Sequence, residues 1–333
     1  MKDLAIVIPA YKNKYFAQAL NSLAMQTNKD FTLYIGDDCS PDDLKETVDQ
    51  FMDTLDIVYK RFDYNIGAAK LVEQWRRCID LTQGEEWLWL FSDDDLVDTT
   101  CVEAFYNAVE ENKGKLDVYR FNTCVINDKG EITNVMPIGP TEESSAQMAY
   151  HLLMGDRGNS MPDHIYSREV YNKSKGYVYT AYASGADWAM SILFSKDKGI
   201  YTISGPKMYW RLSGINISSA AKERRAAMLE GHVQFIEWLL DHFLYLKQSG
   251  SDITYDMIVK AALYNLSGIV AFHYKGFDTN NIIRCFKILH NKLGWSYYKT
   301  IDTLLAIGMH TEFGMNKLHR INSVAKKVFR IPA

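Results

Sequence analysis

The sequence predicts an α/β protein: a Rossmann-like, mixed but mainly parallel sheet flanked by helices over residues 1–218, then a helical C-terminal region over residues 219–333. Three observations carry this expectation. Strand-like apolar runs alternate with helix-spaced apolar stripes through about the first 125 residues, at connection lengths that suit βαβ units. Trp87-Leu88-Trp89-Leu90-Phe91 places five large apolar residues in a row, as in a strand buried on both faces of a parallel sheet. From Ser219 onward the pattern turns almost wholly helical, with stripes such as Phe235, Leu239, Leu240, Phe243 and Leu246.

Taken in order, Leu4 to Ile8 is a strand closed by Pro9, and Phe16, Ala19, Leu20, Leu23 and Ala24 recur at helical spacing. Phe31 to Gly36 is a second strand ending at Asp37-Asp38. Ser40-Pro41-Asp42-Asp43 has the form of a helix start, with Ser40 as N-cap, Pro41 at the first helical position and acids in the first turn. Leu44, Val48, Phe51, Met52 and Leu55 supply the stripe of that helix. Ile57 to Phe62 is a third strand, Asn65-Ile66-Gly67 a turn, and Leu71, Val72, Trp75, Cys78 and Ile79 mark the next helix. The Trp87 strand follows, then a helix carrying Val102, Phe105, Ala108 and Val109. Val118 to Ile126 is another strand, with a hairpin turn at Asp128-Lys129-Gly130. Beyond Glu142 come a helix over 146–154, a strand at His164 to Ser167, a helix from Asp187 to Phe194, and two strands, Ile200 to Ile203 and Met208 to Arg211.

Of 333 residues, 47% are hydrophobic and 23% charged, ordinary values for a globular chain. The formal net charge of −4 gives no electrostatic reason to expect nucleic acid as a partner. The five cysteines, Cys39, Cys78, Cys101, Cys124 and Cys285, form no CxxC pair and no disulfide framework, which predicts a reducing cytoplasm. No apolar run approaches the length of a membrane span, and Leu4 to Ile8 is too short for a signal-peptide core.

The Trp87 strand runs into Ser92-Asp93-Asp94-Asp95. Ligands of open α/β sheets bind outside the carboxyl ends of the strands, so these acids stand where chemistry is expected. Three adjacent carboxylates repel one another beside an apolar strand, and a hard divalent cation, Mn2+ or Mg2+, is the natural counter-charge. The bland alternative is a solvated loop or a helix cap.

Four segments in this order resemble family 2 glycosyltransferases of the GT-A fold: Ile6-Val7-Ile8-Pro9-Ala10-Tyr11, Asp37-Asp38-Cys39-Ser40-Pro41-Asp42, Asn65-Ile66-Gly67 and Ser92-Asp93-Asp94-Asp95. The last falls where that family has its DxD motif. Two residues depart from the pattern. Cys39 stands where Gly is usual, which a small side chain tolerates at negative φ. Ser92 stands where the first Asp of the motif is usual.

The resemblance implies a nucleotide-sugar donor, a UDP-sugar, held by Pro9, Ala10 and Tyr11 along base and ribose, with Asp37 or Asp38 accepting the uracil N3 hydrogen. It implies Asp94 as direct ligand of Mn2+ or Mg2+, Asp93 at the ribose or the metal shell, and Asp95 in support of the metal. Asn65, Gly67 and Lys70 fall to the donor side, with Lys70 a phosphate candidate. Gly185-Ala186-Asp187-Trp188 resembles the family's Glu-Asp segment, with Ala186 in place of Glu, and implies Asp187 as general base; otherwise it is a helix N-cap. Asp163 and His164 are the alternatives for that role. Met208-Tyr209-Trp210-Arg211-Leu212-Ser213, with Asn216-Ile217-Ser218-Ser219 after it, resembles the loop that follows the base. There Trp210 would close over the donor and Arg211 clamp the diphosphate, unless the segment is a strand ending in a surface arginine.

The activity implied is metal-dependent, inverting sugar transfer to a saccharide or lipid-linked saccharide in surface polysaccharide or glycoconjugate synthesis. The rivals are a sugar-nucleotide nucleotidyltransferase and a non-catalytic nucleotide- or glycan-binding module. Against the first, Pro9-Ala10-Tyr11-Lys12 holds no glycine to cradle a triphosphate. At the far end, Leu318, Ile321, Val324, Ala325, Val328 and Phe329 alternate with six Lys, Arg or His residues between Lys317 and Arg330. This basic amphipathic helix is expected either to lie on an anionic membrane, as a peripheral contact at the inner face of the cell membrane, or to pack on its own protein or a second subunit.

Overall fold

The structure is a computed structural model and describes residues 2–214, 216, 224–272 and 278–309. The chain divides into two compact units, Met1–Ser219 and Ala220–Ala333.

The first unit grows from β1, Leu4–Ala10, whose seven residues are buried except for the half-buried Pro9. Helix α1, Phe16–Ala24, buries Phe16, Ala19, Leu20 and Leu23, the i, i+3, i+4, i+7 face of an amphipathic helix. Strand β2 is Phe31–Asp37. Helix α2, Leu44–Asp49, starts at Asp43, whose carboxyl accepts the Glu46 amide, and not at Ser40 as expected. Ser40 is drawn elsewhere: its hydroxyl donates to the Tyr11 carbonyl at 2.7 Å. The helix also stops short of Phe51 and Leu55, which pack from the turns that follow.

Strand β3, Ile57–Arg61, leads through a 3-10 turn at Ala68–Lys70 into α3, Leu71–Ile79. Then come β4, Trp87–Leu90; β5, Leu96–Val97; α4, Cys101–Glu111; and β6, Val118–Ile126. The hairpin expected at Asp128-Lys129-Gly130 joins β6 to β7, Ile132–Val135. After β8, Glu142–Glu143, helix α5, Ser145–Met154, opens on a reciprocal capping box between Ser144 and Gln147. A 3-10 turn, Met161–Asp163, precedes β9, His164–Ser167; α6 is Arg168–Lys173 and α7 Ala186–Phe194. The two strands expected over 200–203 and 208–211 are one strand, β10, Ile200–Arg211. Its register against β6 shifts between Ile203 and Lys207, so the Ser204-Gly205-Pro206 interruption is a bulge and not a break.

Ten strands form one mixed sheet along the path β3-β2-β1-β4-β9-β6-β10-β5, with β7 on β6 and β8 on β10. The long pairings, β1 with β2 and β4, β2 with β3, and β6 with β10, are parallel; the short strands add antiparallel pairs. The carboxyl ends of β1, β2 and β4 therefore open side by side on one edge. Trp89 and Phe91 lie on one face with their rings 5.7 Å apart, and Phe121 lies 5.4 Å from Trp89. Cutting Trp89 back to Ala would cost about 3–5 kcal/mol.

The second unit holds α8, Arg225–His242; α9, Tyr255–Phe272; α10, Thr279–Phe286; and α11, Tyr297–Met309. Helix α9 packs on α8 and α11, and α10 on α8 and α11. The stripe of Phe235, Leu239, Leu240, Phe243 and Leu246 is buried, as its spacing predicts. Among the described residues no helix is long and apolar enough to cross a membrane. The basic stretch from Lys317 to Arg330 lies outside the described residues.

Candidate active site

Hydrogen bonds join the four motif segments, far apart in sequence, at the edge where β1, β2 and β4 end. Asp93 Oδ2 accepts the Tyr11 and Lys12 amides at 2.8 and 2.9 Å, tying the exit of β4 to that of β1. Ser40 ties the exit of β2 to the same Tyr11. Asp38 accepts from the Ile66 amide at 3.0 Å, the Asn65 side-chain amide at 3.0 Å and the Gly67 amide at 3.2 Å, and it also meets Arg77. Gly67 has φ +67, and a Cβ there would come within 3.0 Å of Asn65 Oδ1, so glycine fits both the backbone and the space. Asp37 is fully buried, taking the Ser40 amide at 2.7 Å, the Tyr59 hydroxyl at 2.6 Å and Arg61 Nη1 at 2.8 Å. Asp37 and Asp38 thus brace the loops of the expected base-binding face. Pro9 is half-buried, Ala10 fully buried, and Tyr11 has 41% of its surface exposed above them.

Cys39 overturns the expectation attached to it. Its φ is +53, the left-handed region, so the glycine usual at this position answers a backbone need that Cys39 meets under strain.

The three acids after β4 diverge. Asp95 accepts the Arg211 amide at 2.6 Å and the Ser92 hydroxyl at 2.5 Å, so both its oxygens meet the chain and it braces the loop. Asp94 accepts a long hydrogen bond of 3.3 Å from Asn216. Burial, and then the charge of Asp93, push the Asp94 carboxyl up to about 6, against the pull of Lys12, Ser92 and Arg211. An acid raised in this way by uncompensated neighbours is one that a cation would neutralise. Among the described residues no three His, Cys, Asp or Glu side chains are grouped to hold a metal by themselves. Asp94, with its long hydrogen bond from Asn216, is the acid of the three that would be placed to meet a cation together with phosphate and water.

Arg211 differs from its expected place at the surface. Arg211 is fully buried: Nε donates to the Asp94 carbonyl at 2.8 Å, Nη1 to the Asn127 carbonyl at 3.0 Å, and Nη2 to Gln18 Oε1 at 2.8 Å. Its guanidinium also lies 4.3 Å from the centre of the Tyr15 ring. A guanidinium committed on so many sides holds the acidic loop and is not available to clamp a diphosphate. Trp210 is partly buried against the sheet core. Lys70 is exposed and pairs with Glu73 at 3.4 Å, a surface contact worth little.

Asp187 does not cap α7. Gly185 is the N-cap and Asp187 is the second helical residue, partly buried. Burial first, then the charge of Asp163, raise its carboxyl to about 6; the Trp188 amide and His164 act in the opposite sense. Before α7, Tyr182 and Ala183 both have positive φ, +56 and +54. This 3-10 turn, Ala181–Ala183, packs against the 3-10 turn at Ala68–Lys70 and against α3.

Sequence reasoning missed Arg77, Gln18 and Tyr59, whose partners lie on other elements. One local signal existed: Gln74 is buried within the stripe of α3, where it donates to the Gly36 carbonyl at 3.1 Å, beside Arg77.

Residues 5–164 match the model of Glycosyl transferase family 2. An uncharacterized glycosyltransferase of Haemophilus influenzae is 27% identical over 209 residues, 62% of this chain and 67% of that protein. A crystal structure of S. aureus TarS 1-349 in complex with UDP-GlcNAc superposes with a TM-score of 0.57 at 16% identity, covering 92% of this chain and 90% of that one. The same protein in complex with UDP superposes with a TM-score of 0.54 over the same shares. The fold is thus the mixed α/β architecture of the GT-A type, and the sequence likeness to Glycosyl transferase family 2 lies in residues 5–164.

Proposed function

We propose that the chain transfers a sugar from a nucleotide diphosphate donor, a UDP-sugar, to a hydroxyl of a saccharide or lipid-linked saccharide, with inversion. The observation that carries the reading is geometric: hydrogen bonds join the four motif segments where β1, β2 and β4 end, and there Asp94 is left with a long hydrogen bond from a side chain further along the chain. The TarS structures, which contain UDP-GlcNAc and UDP, favour uridine as the base.

In this reading the loops braced by Asp37, Asp38 and Asp93 form the nucleotide seat, with Pro9, Ala10 and Tyr11 along base and ribose. Asp94 would hold a Mn2+ or Mg2+ ion, which when bound neutralises charge on the diphosphate leaving group. Asp187 takes the proton from the acceptor hydroxyl as its oxygen bonds to the anomeric carbon and the bond from that carbon to the diphosphate breaks. A carboxylate raised to about 6 is still mostly ionised at neutral pH and is a stronger base than an ordinary aspartate. The setting that suits such a reaction is the cytoplasmic side of a membrane carrying lipid-linked acceptors, in the synthesis of surface polysaccharide or glycoconjugate.

The test is a panel of nucleotide sugars followed by UDP release with and without Mn2+. A UDP-sugar that both stabilises the protein and is turned over supports the reading. Binding with no turnover, with or without candidate acceptors, would point to a non-catalytic module.

A further inference from the structure

We propose that Lys12, two residues beyond the end of β1, supplies the ammonium that meets the diphosphate of the donor. The inference rests on the nucleotide-sugar reading above and goes beyond it by naming the side chain that binds the phosphates.

The backbone at this edge has little left to offer an anion. Loops that cradle phosphate commonly do so with free backbone amides. At the exit of β1 those amides are spent: Tyr11 and Lys12 donate to Asp93 Oδ2 at 2.8 and 2.9 Å, and Asn13 donates to Asp42 Oδ2 at 3.2 Å. Three consecutive amides go to carboxylates, so a phosphate held by this loop must be met by a side chain.

Most basic side chains around the edge are already committed. Arg61 pairs with Asp37 at 2.8 Å and donates to the Ser40 carbonyl at 2.8 Å. Arg77 pairs with Asp38, and its guanidinium lies 3.8 Å from the centre of the Phe62 ring. Arg211 is spent on the carbonyls of Asp94 and Asn127 and on Gln18. Lys14 pairs with Asp128 at 3.3 Å and Lys70 with Glu73 at 3.4 Å. Lys12 differs from all of these. It is half-buried, and its ammonium makes no ion pair and no hydrogen bond among the described residues. Its amide is tied to Asp93, so its four-carbon stem starts beside the acids that end β4. Burial raises the Asp93 and Asp94 carboxyls, and the charge of Lys12 pulls both back. A half-buried ammonium without a fixed partner is costly where packing is the only requirement, and useful where an anion completes it. Lysine meets phosphate as a point charge, without the fixed fork of a guanidinium.

Calorimetric titration of uridine and of UDP, both in EDTA so that no divalent cation contributes, tests the assignment. Wild type should bind UDP more tightly than uridine. Lys12→Met keeps the stem and removes the charge; it should weaken UDP by about tenfold to a hundredfold and leave uridine unchanged. Lys14→Met, which loses only a surface pair, should bind both ligands as wild type does. UDP affinity unchanged in Lys12→Met, an equal loss for uridine and UDP, or an equal loss of UDP in Lys14→Met would overturn the proposal. If Lys12→Met does not fold, lysine acetylation of wild type by acetic anhydride, read by mass spectrometry, decides. UDP and not uridine should then protect Lys12 while Lys14 and Lys70 stay reactive; Lys12 equally reactive with and without UDP would overturn it. Wild type that binds UDP no more tightly than uridine would remove the donor reading, and the role of Lys12 with it. A preference for UDP that Lys12→Met keeps in full would remove only Lys12.

Discussion

On the proposed donor side, four acids face inward to the chain. Asp37, Asp38, Asp93 and Asp95 together accept from Ser40, Tyr59, Arg61, Asn65, Ile66, Gly67, Tyr11, Lys12, Arg211 and Ser92, so they act as the knots of four loops. On the proposed acceptor side fewer groups meet the acid: burial and Asp163 push the Asp187 carboxyl up, and the Trp188 amide, its own amide and His164 act in the opposite sense. Burial raises the carboxyls of Asp38, Asp93 and Asp95 as well as those of Asp94 and Asp187, so what sets Asp94 apart is its donors: it takes a long hydrogen bond of 3.3 Å from Asn216. The difference separates two uses of a buried acid. Where donors surround it, it fixes architecture; where they are withheld, it is left with charge to give to a ligand or a proton.

This division can be broken at either end. The largest expected effect on activity is at the sparse end: Asp187→Asn should lower turnover of a UDP-sugar by about 10²–10⁴ while leaving UDP binding intact, as for loss of a general base. The largest effect on stability is at the knotted end. Arg211→Ala removes a fully buried guanidinium and leaves carbonyls of the acidic loop without donors, so denaturant unfolding should show a loss of about 3–5 kcal/mol.

Asp187→Asn should also change the pH dependence of stability. A carboxyl raised to about 6 in the folded state and near 4 in the unfolded chain binds more protons when folded, between those values. Its ionisation therefore lowers stability as pH rises through that window, and the penalty is absent at lower pH. Asp187→Asn should be more stable than wild type at pH 7.5, by up to about 2 kcal/mol, and the gap should close toward pH 4. The smallest effect is Cys39→Gly, which relieves a left-handed non-glycine residue and should raise stability by about 1 kcal/mol in thermal unfolding.

The sheet, the helices that flank it and the four motif segments that meet at one sheet edge were legible in the sequence, because apolar periodicity and turn chemistry are local signals. The errors came from partners that local pattern does not reveal. Arg211 sits at the end of a strand, as a surface arginine would, and only the approach of Gln18, Tyr15 and the Asn127 carbonyl buries it. Asp94 and Asp95 are alike in sequence, and it is the Arg211 amide that turns one of them toward the chain. The strand at Ile200–Arg211 reads as two because Ser204-Gly205-Pro206 is a turn signal, which the sheet absorbs as a bulge. Cys39 was read from its size, while the deciding quantity was its φ.

The account turns on Asp94 being the acid kept for a ligand, and calorimetric titration of UDP with and without Mn2+ tests it most directly. Binding that is strengthened by Mn2+ in wild type and Asp187→Asn, and no longer responds to Mn2+ in Asp94→Asn, is the predicted result. Binding of UDP that is the same with and without Mn2+, or that keeps its full response to Mn2+ in a folded Asp94→Asn, would contradict it.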